Sequence, residues 1–175
     1  MENRLHLYTP KLSELWYRKQ ILSDPDTMSY NKGYELNFAG YNNHTGCIDF
    51  PKSQWEGWYN WFINNEPDRF YAYIVRNDGE FIGEVNLHKS KQGDWYDMGV
   101  VIENKYRCNG YATEAIKLLL KQAFDIFGVN AVHNDFEINR KSAAQAHLSA
   151  GFIEYKEEKG VIKLVITREH YYHTK

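Results

Sequence analysis

The stretch that most constrains this chain runs Asp97-Met98-Gly99-Val100-Val101-Ile102-Glu103-Asn104-Lys105-Tyr106-Arg107-Cys108-Asn109-Gly110-Tyr111-Ala112-Thr113-Glu114-Ala115. It reads as a strand, a short loop with a basic residue and a glycine, and the start of a long helix. A helix start leaves backbone N–H groups unpaired and carries partial positive charge, so such a loop suits a phosphate. Arg107 adds a fork of charged donors that matches phosphate oxygens. Many strand-to-helix turns hold an Arg and a Gly and bind nothing, so the pattern needs support from the rest of the chain.

At 175 residues the chain has the length of one domain, and the expectation is a single domain over 1–175. A net charge of -2 gives no footing for general nucleic-acid binding, which rests on Lys and Arg neutralising phosphates. No apolar run reaches the roughly 18 residues of a membrane span, and the start Met1-Glu2-Asn3-Arg4-Leu5-His6-Leu7 has no apolar signal core. Cys47 and Cys108 are too few for a disulfide scaffold and form no metal-type pair, so no metal is expected. The reading is a cytoplasmic protein. With 14 Tyr and 5 Trp, large amphipathic rings either build the core or line a pocket.

Periodicity predicts the elements in order. Leu5 and Leu7 begin a strand; Leu12, Leu15, Trp16 and Leu22 mark a helix ending before Pro25. Residues 29–54 have no period but carry Tyr30, Tyr34, Phe38, Tyr41 and Phe50 among glycines, and read as a lid or a packed loop. Trp55, Trp58, Tyr59, Phe62 and Ile63 mark a second helix over 53–65, with Ser53 as its cap and Glu56 as capping-box partner. Strands over 70–76 and 81–88 flank the turn Asn77-Asp78-Gly79-Glu80, and a further strand covers 95–102. The helix after Gly110 presents Ala112, Ala115, Ile116, Leu119, Leu120, Ala123 and Phe127 on one side and stops at Gly128. A strand over 131–136, a short helix from Asn139 to near Gly151 and a final hairpin over 152–167 complete the chain. The order β-α-α-β-β-β-α-β-α-β-β predicts an α/β (α+β) domain with one mixed, mostly antiparallel sheet flanked by helices.

Arg107-Cys108-Asn109-Gly110-Tyr111-Ala112 resembles the Arg/Gln-x-x-Gly-x-Gly/Ala signature of GNAT-superfamily N-acetyltransferases. Arg4-Leu5-His6-Leu7, Asp24-Pro25, Phe81-Ile82-Gly83, Met98-Gly99-Val100, Asn139-x-x-Ser142 and Gly151-Phe152 fall in the order of its ribosomal-protein alanine acetyltransferase branch. The resemblance covers nearly all of the chain except roughly 30–54. It implies acetyl-CoA as donor, with the pantetheine arm along Val100, Val101 and Ile102. It places the pyrophosphate at Arg107, Cys108, Asn109, Gly110, Tyr111 and Ala112, and gives Asn139 and Ser142 to the cofactor from across the cleft. The chain departs from the branch at Arg107-Cys108, where Trp-Gly is usual, at Ser149, where Lys is common, and at His147, where many relatives carry Tyr.

Acyl transfer to an amine needs the amine neutral, a donor for charge on the acyl oxygen and a proton for the thiolate. Asp97 and Glu84 are the candidate bases. His147 is the candidate acid because His titrates near neutral pH, with His88 and Tyr111 behind it. The expectation is an acetyl-CoA-dependent N-acetyltransferase acting on a primary amine of a small molecule or a protein N-terminus, monomeric or homodimeric. The alternative is a non-catalytic acyl-CoA-binding sensor. A P-loop hydrolase is excluded because no Gly-x4-Gly-Lys-Ser/Thr occurs.

Overall fold

A computed structural model describes residues 4–37 and 39–173; Phe38 and the Met1-Glu2-Asn3 start fall outside them. The expected mixed sheet is present, with seven strands: β1 (Leu5–Tyr8), β2 (Arg69–Arg76), β3 (Phe81–Lys89), β4 (Tyr96–Ile102), β5 (Ala131–Glu137), β6 (Ile153–Glu158) and β7 (Val161–Thr167). Their order is β1-β2-β3-β4-β5-β7-β6, and every pairing is antiparallel except β4 with β5. That one parallel pair follows from the helix connecting them, since parallel neighbours need a crossover.

The helices are α1 (Trp16–Ser23), α2 (Pro25–Met28), α3 (Trp55–Phe62), α4 (Tyr111–Lys121), α5 (Lys141–Ser149) and α6 (Arg168–His173). Strand alternation sorts the core into two layers. On one face Ala72, Ile74, Val85, Leu87, Met98 and Val132 pack against Ala115, Ile116, Leu119 and Leu120 of α4. On the other, Tyr71, Tyr73 and Val75 meet Leu15, Tyr17 and Ile21 from the α1 region and Trp55 of α3. Most of the rings flagged in the sequence belong to this second layer.

Four local expectations need correction. Pro25 does end α1, but it also opens α2, where Asp24 caps the N–H groups of Asp26 and Thr27, each at 3.2 Å. Ser53 does not cap α3: a 3-10 turn over Lys52–Gln54 precedes it and Gln54 is the cap position, without a side-chain bond. Beyond Lys121 the helix widens to π geometry over Gln122–Ile126, which buries Phe124 and leaves Phe127 only partly covered. Residues 168–173 form a helix that the sequence pattern did not reveal; its Tyr171 ring packs tilted against Phe124 at 4.8 Å.

The start of α4 is fixed to the far edge of the sheet by Glu114. Its Oε1 accepts the backbone N–H of Arg4 at 2.8 Å and of Leu5 at 3.0 Å, while Oε2 takes the Arg4 guanidinium at 2.9 Å. The other side of the same loop is held by Asn104, whose N–H donates to Thr27 Oγ1 at 2.9 Å, and by Glu103, which accepts Tyr17 Oη at 3.0 Å. Glu114→Ala is expected to cost about 0.5–1.5 kcal/mol, chiefly through the part-buried Leu5 N–H because water re-solvates the exposed Arg4 donors, read as a melting temperature lower by a few degrees. Lys121→Ala, on the exposed side of the helix, should leave the melting temperature in place.

Candidate active site

β4 pairs with β3 along its whole length, from Tyr96↔Lys89 to Ile102↔Gly83, and β5 pairs fully with β7. Between β4 and β5 only Tyr96↔Val132 and Asp97↔His133 are joined. Beyond these two rungs the strands part and the sheet opens toward the loop after β4. Glu103 N–H donates to Ile82 O at 3.0 Å, which sets the antiparallel alternation. Residues 97, 99 and 101 therefore turn their backbone groups to β3, and 98, 100 and 102 turn theirs to the opening. Val100 thus presents an N–H and a carbonyl with no strand partner. Val101 does not: its backbone faces Glu84 and its side chain packs in the second core layer. The Ile102 carbonyl accepts Arg107 Nε at 3.1 Å.

The opening leads to the signature loop. Cys108 (φ 64°) and Gly110 (φ 77°) both adopt left-handed backbone, a conformation that costs Cys108 energy and Gly110 little. Among the described residues the N–H groups from Cys108 to Thr113 have no hydrogen-bond acceptor; the first bond of α4 is Glu114 N–H to Gly110 O at 3.4 Å. This row of free donors at a helix start fits a pyrophosphate, and the free Val100 edge fits an amide-bearing arm. The guanidinium of Arg107 is committed elsewhere. Besides Ile102 O it donates to Thr27 O at 2.6 Å and Asp26 O at 3.4 Å, so it braces the loop from behind. Asn109 Nδ2 folds back on the carbonyls of Tyr106 (3.0 Å) and Arg107 (2.9 Å), and the Tyr111 ring lies under the Arg4 guanidinium at 4.8 Å. Ala112 packs against the α4-side core, while Asn139 and Ser142 are exposed near the start of α5.

The three candidate catalytic side chains have different surroundings. Glu84 is 4% exposed and lies in a closed cluster: Oε1 takes the Arg18 guanidinium at 2.5 Å and Oε2 takes the Tyr71 hydroxyl. Arg18 stacks on Trp58 at 4.4 Å, and its Nε finds no partner among the described residues. Burial and the adjoining Glu84 charge push the Tyr71 phenol well above its ordinary value. His147 is 2% exposed between Phe136 and Phe152. Its Nδ1 lies 2.8 Å from Ala143 O and its Nε2 2.9 Å from Asn134 Nδ2. Since a carbonyl only accepts and an amide NH2 only donates, the proton sits on Nδ1 and Nε2 is an acceptor. Burial lowers its pKa and keeps it neutral. Asp97 is open, with its side chain 38% exposed; Oδ1 accepts the Trp95 indole N–H at 3.2 Å and Oδ2 lies 3.9 Å from His88 Nε2.

Asp97 also lines a cavity of about 360 Å³ on its own face of the sheet, with Met98 and Asn134, the first residues past the last shared rung, at its edge. Sequence reasoning ranked His88 low and overlooked Trp95, His133, Asp135 and Lys163, which share this cavity. Only the strand register, absent from any local pattern, brings them together. It also overlooked Arg18 and Arg140. The latter lies over Tyr30 at 4.8 Å and links α5 to the 29–54 segment. That segment is internally bonded: the Tyr41 hydroxyl donates to Asn31 O at 2.5 Å, Gly33 N–H to Asn43 O at 3.0 Å, and Ile48 N–H ties it to Leu22 O at 2.9 Å.

Residues 4–153 match the model of the acetyltransferase (GNAT) domain. No curated protein matches the sequence. Among solved structures, the chain is similar to spermidine N-acetyltransferase from Vibrio cholerae in complex with CoA and spermine, at TM-score 0.76 and 16% identity over 98% of this chain and 99% of that one. A GNAT-family acetyltransferase from Bacillus anthracis gives 0.71 and 16%, covering 97% and 98%. FdhC, a nucleotide-linked sugar GNAT, gives 0.71 and 18%, covering 99% and 92%. These likenesses describe the fold, and the domain match describes the family. With its opened sheet and its loop of free N–H donors, the chain belongs to the GNAT acetyltransferases, acyltransferases that take acetyl-CoA as cosubstrate.

Proposed function

We propose that this chain transfers the acetyl group of acetyl-CoA to a primary amine within the opening between β4 and β5. The observation that carries this reading is the pairing of β4 with β5 by two rungs only, which leaves the Val100 edge free beside the donors of Cys108–Thr113. Cys108, Asn109, Gly110, Tyr111 and Ala112 hold the pyrophosphate through backbone N–H groups, and Val100 pairs with the pantetheine arm. Asn139 and Ser142 remain expected contacts from the α5 side. The cosubstrate supplies an activated acyl carbon, so no nucleophilic side chain is needed. A neutral amine attacks that carbon directly: the C–N bond forms, the C–S bond breaks, the thiolate takes one proton, and an ammonium acceptor releases one net proton. A backbone N–H of β4 that faces the opening receives the charge on the acyl oxygen.

Of the two carboxylates Asp97 is the better base, because Glu84 already neutralises Arg18 and accepts from Tyr71. His147, saturated and neutral, orients Asn134 rather than donating a proton. The branch resemblance points to a protein N-terminus as acceptor, whereas the Vibrio cholerae neighbour was solved with spermine; a primary amine is common to both.

Release of free CoA thiol in the presence of an amine panel tests the reaction. Acceptor-dependent thiol is expected; tight acetyl-CoA binding with no thiol release from any amine supports the sensor reading instead. Val100→Pro removes an N–H that β3 does not use, so the sheet should survive. Acetyl-CoA affinity should fall about 10-fold or more, matching roughly 1–3 kcal/mol for a lost buried hydrogen bond.

His147→Phe should lower stability without removing a limb from the kcat–pH profile; a vanished limb would restore the acid role. The sign of the stability effect follows from the lowered folded pKa. His147 contributes stability that is complete above the ordinary His value of about 6.5 and is lost as pH falls through the lower folded value. The Phe variant should lack that acid-side slope, measurable by thermal melts across the pH range.

A further inference from the structure

The cavity beside Asp97 has a composition that the donor site does not explain. It lies where β4 and β5 separate, with Met98 and Asn134 shared between its edge and the opening. One wall is a plate of rings: the Trp95 indole stacks on His133 at 4.6 Å and 16°, and Tyr155 meets His133 edge-on at 5.5 Å. Asp97 and Asp135 stand on adjacent strands of the same face. The Asp135 carboxylate has no ion-pair partner among the described residues, although Lys163 is its register neighbour on β7. The Lys163 ammonium points to Glu158 instead, at 3.9 Å. Burial lowers the pKa of both His88 and His133, the Asp97 charge opposing it in each case, and Arg69 lowers His88 further. At neutral pH the imidazoles therefore do not cancel the carboxylates.

Two carboxylates are one more than the reaction uses. The attacking nitrogen arrives as an ammonium and must become neutral, which gives one carboxylate a task at that nitrogen; a neutral amine offers the second one no cation. A second positive group on the acceptor would supply it, and the ring wall favours cations as well. A volume of about 360 Å³ suits a small molecule.

We propose that this cavity is the acceptor pocket and that it takes a small amine bearing a second cationic group, with the reacting nitrogen at Asp97 and the second cation at Asp135. This rests on the acetyl-transfer reading above and adds the acceptor's location and charge to it.

The test compares 1,4-diaminobutane, 1-aminobutane and a short peptide with a free Ala N-terminus, by thiol release with the full chain. The diamine is expected to show kcat/KM at least 10-fold above the monoamine, and Asp135→Asn should erase that gap while KM for acetyl-CoA stays unchanged. Lys163→Gln, which removes the pocket's opposing charge, should move KM for the diamine down, the reverse of the Asp135 change; a merely structural role would not produce opposite shifts. Equal turnover of monoamine and diamine, a gap that survives Asp135→Asn, or turnover of the peptide alone would overturn the pocket assignment and leave acetyl transfer standing. No thiol release with any acceptor, despite acetyl-CoA binding, would sink both readings.

Discussion

The constraint on which the rest depends is the separation of β4 from β5. A buried strand edge with free N–H and C=O groups is unfavourable unless something pairs with it. Here β4 is satisfied on its β3 side over seven residues and β5 on its β7 side over seven, yet they share only two rungs. At the open end the β5 side is packed onto α5: Phe136 and Phe152 flank His147, and Asn134 bonds to the same ring. The free edge is thus built into the folded core rather than left at the periphery. An extended ligand with amide groups restores the missing ladder, which gives the fold a reason to bind such a ligand there.

The polar groups nearest this opening divide by whether they are already satisfied. Arg18, Glu84 and Tyr71 close on one another beneath Trp58, so their charges serve the second core layer. Removing either member of such a buried pair leaves an uncompensated charge, a cost of about 3–5 kcal/mol, so Glu84 has a structural task in the core. Arg107 follows the same logic: its fork holds Thr27, Asp26 and Ile102 carbonyls and so stiffens the loop that carries the unpaired amides. Together with Asn104 on Thr27 and Glu114 on the first strand, it fixes the loop from two sides without using its donor row. Preorganised donors of this kind need little rearrangement when an anion arrives.

Much of this was legible from residue order. The period-3.6 pattern placed the long helix because it has one dry face, and alternation with turn signals placed the strands even though β2 is buried on both faces. The unread parts share one physical cause. The freedom of Val100 and the commitment of Val101 depend on the phase of the β3 ladder, which is set by Glu103 and Ile82 rather than by either residue itself. Glu84 looked like a base because its partner Arg18 lies 66 residues away in sequence, on a helix whose apolar stripe gave no hint of it. His147 was read as an acid from its ordinary pKa alone, whereas the partners of both its ring nitrogens, Ala143 O and Asn134 Nδ2, come from the tertiary fold. The C-terminal helix is short and rich in His and Tyr, so it forms through Tyr171 on Phe124, a tertiary contact, and not through propensity.

This division has a consequence for how such a fold changes its substrate. The donor side is built from backbone: a ladder phase, a left-handed turn and a helix start. Side chains there can vary, as Cys108 and Arg107 do relative to the branch, so long as the path of the main chain is kept. The cavity beside Asp97 is lined by residues of five strands, β3, β4, β5, β6 and β7, and of the turn before β4, and the strand backbones are held by pairings they would keep under substitution. Exchanging His88, Asp135 or Lys163 would change the charge and shape of that cavity and leave the ladder intact. One scaffold can therefore hold its acyl donor constant while the opposite wall of the opening is rebuilt residue by residue, and under the proposed acceptor assignment the balance of Asp97, Asp135 and Lys163 sets selectivity.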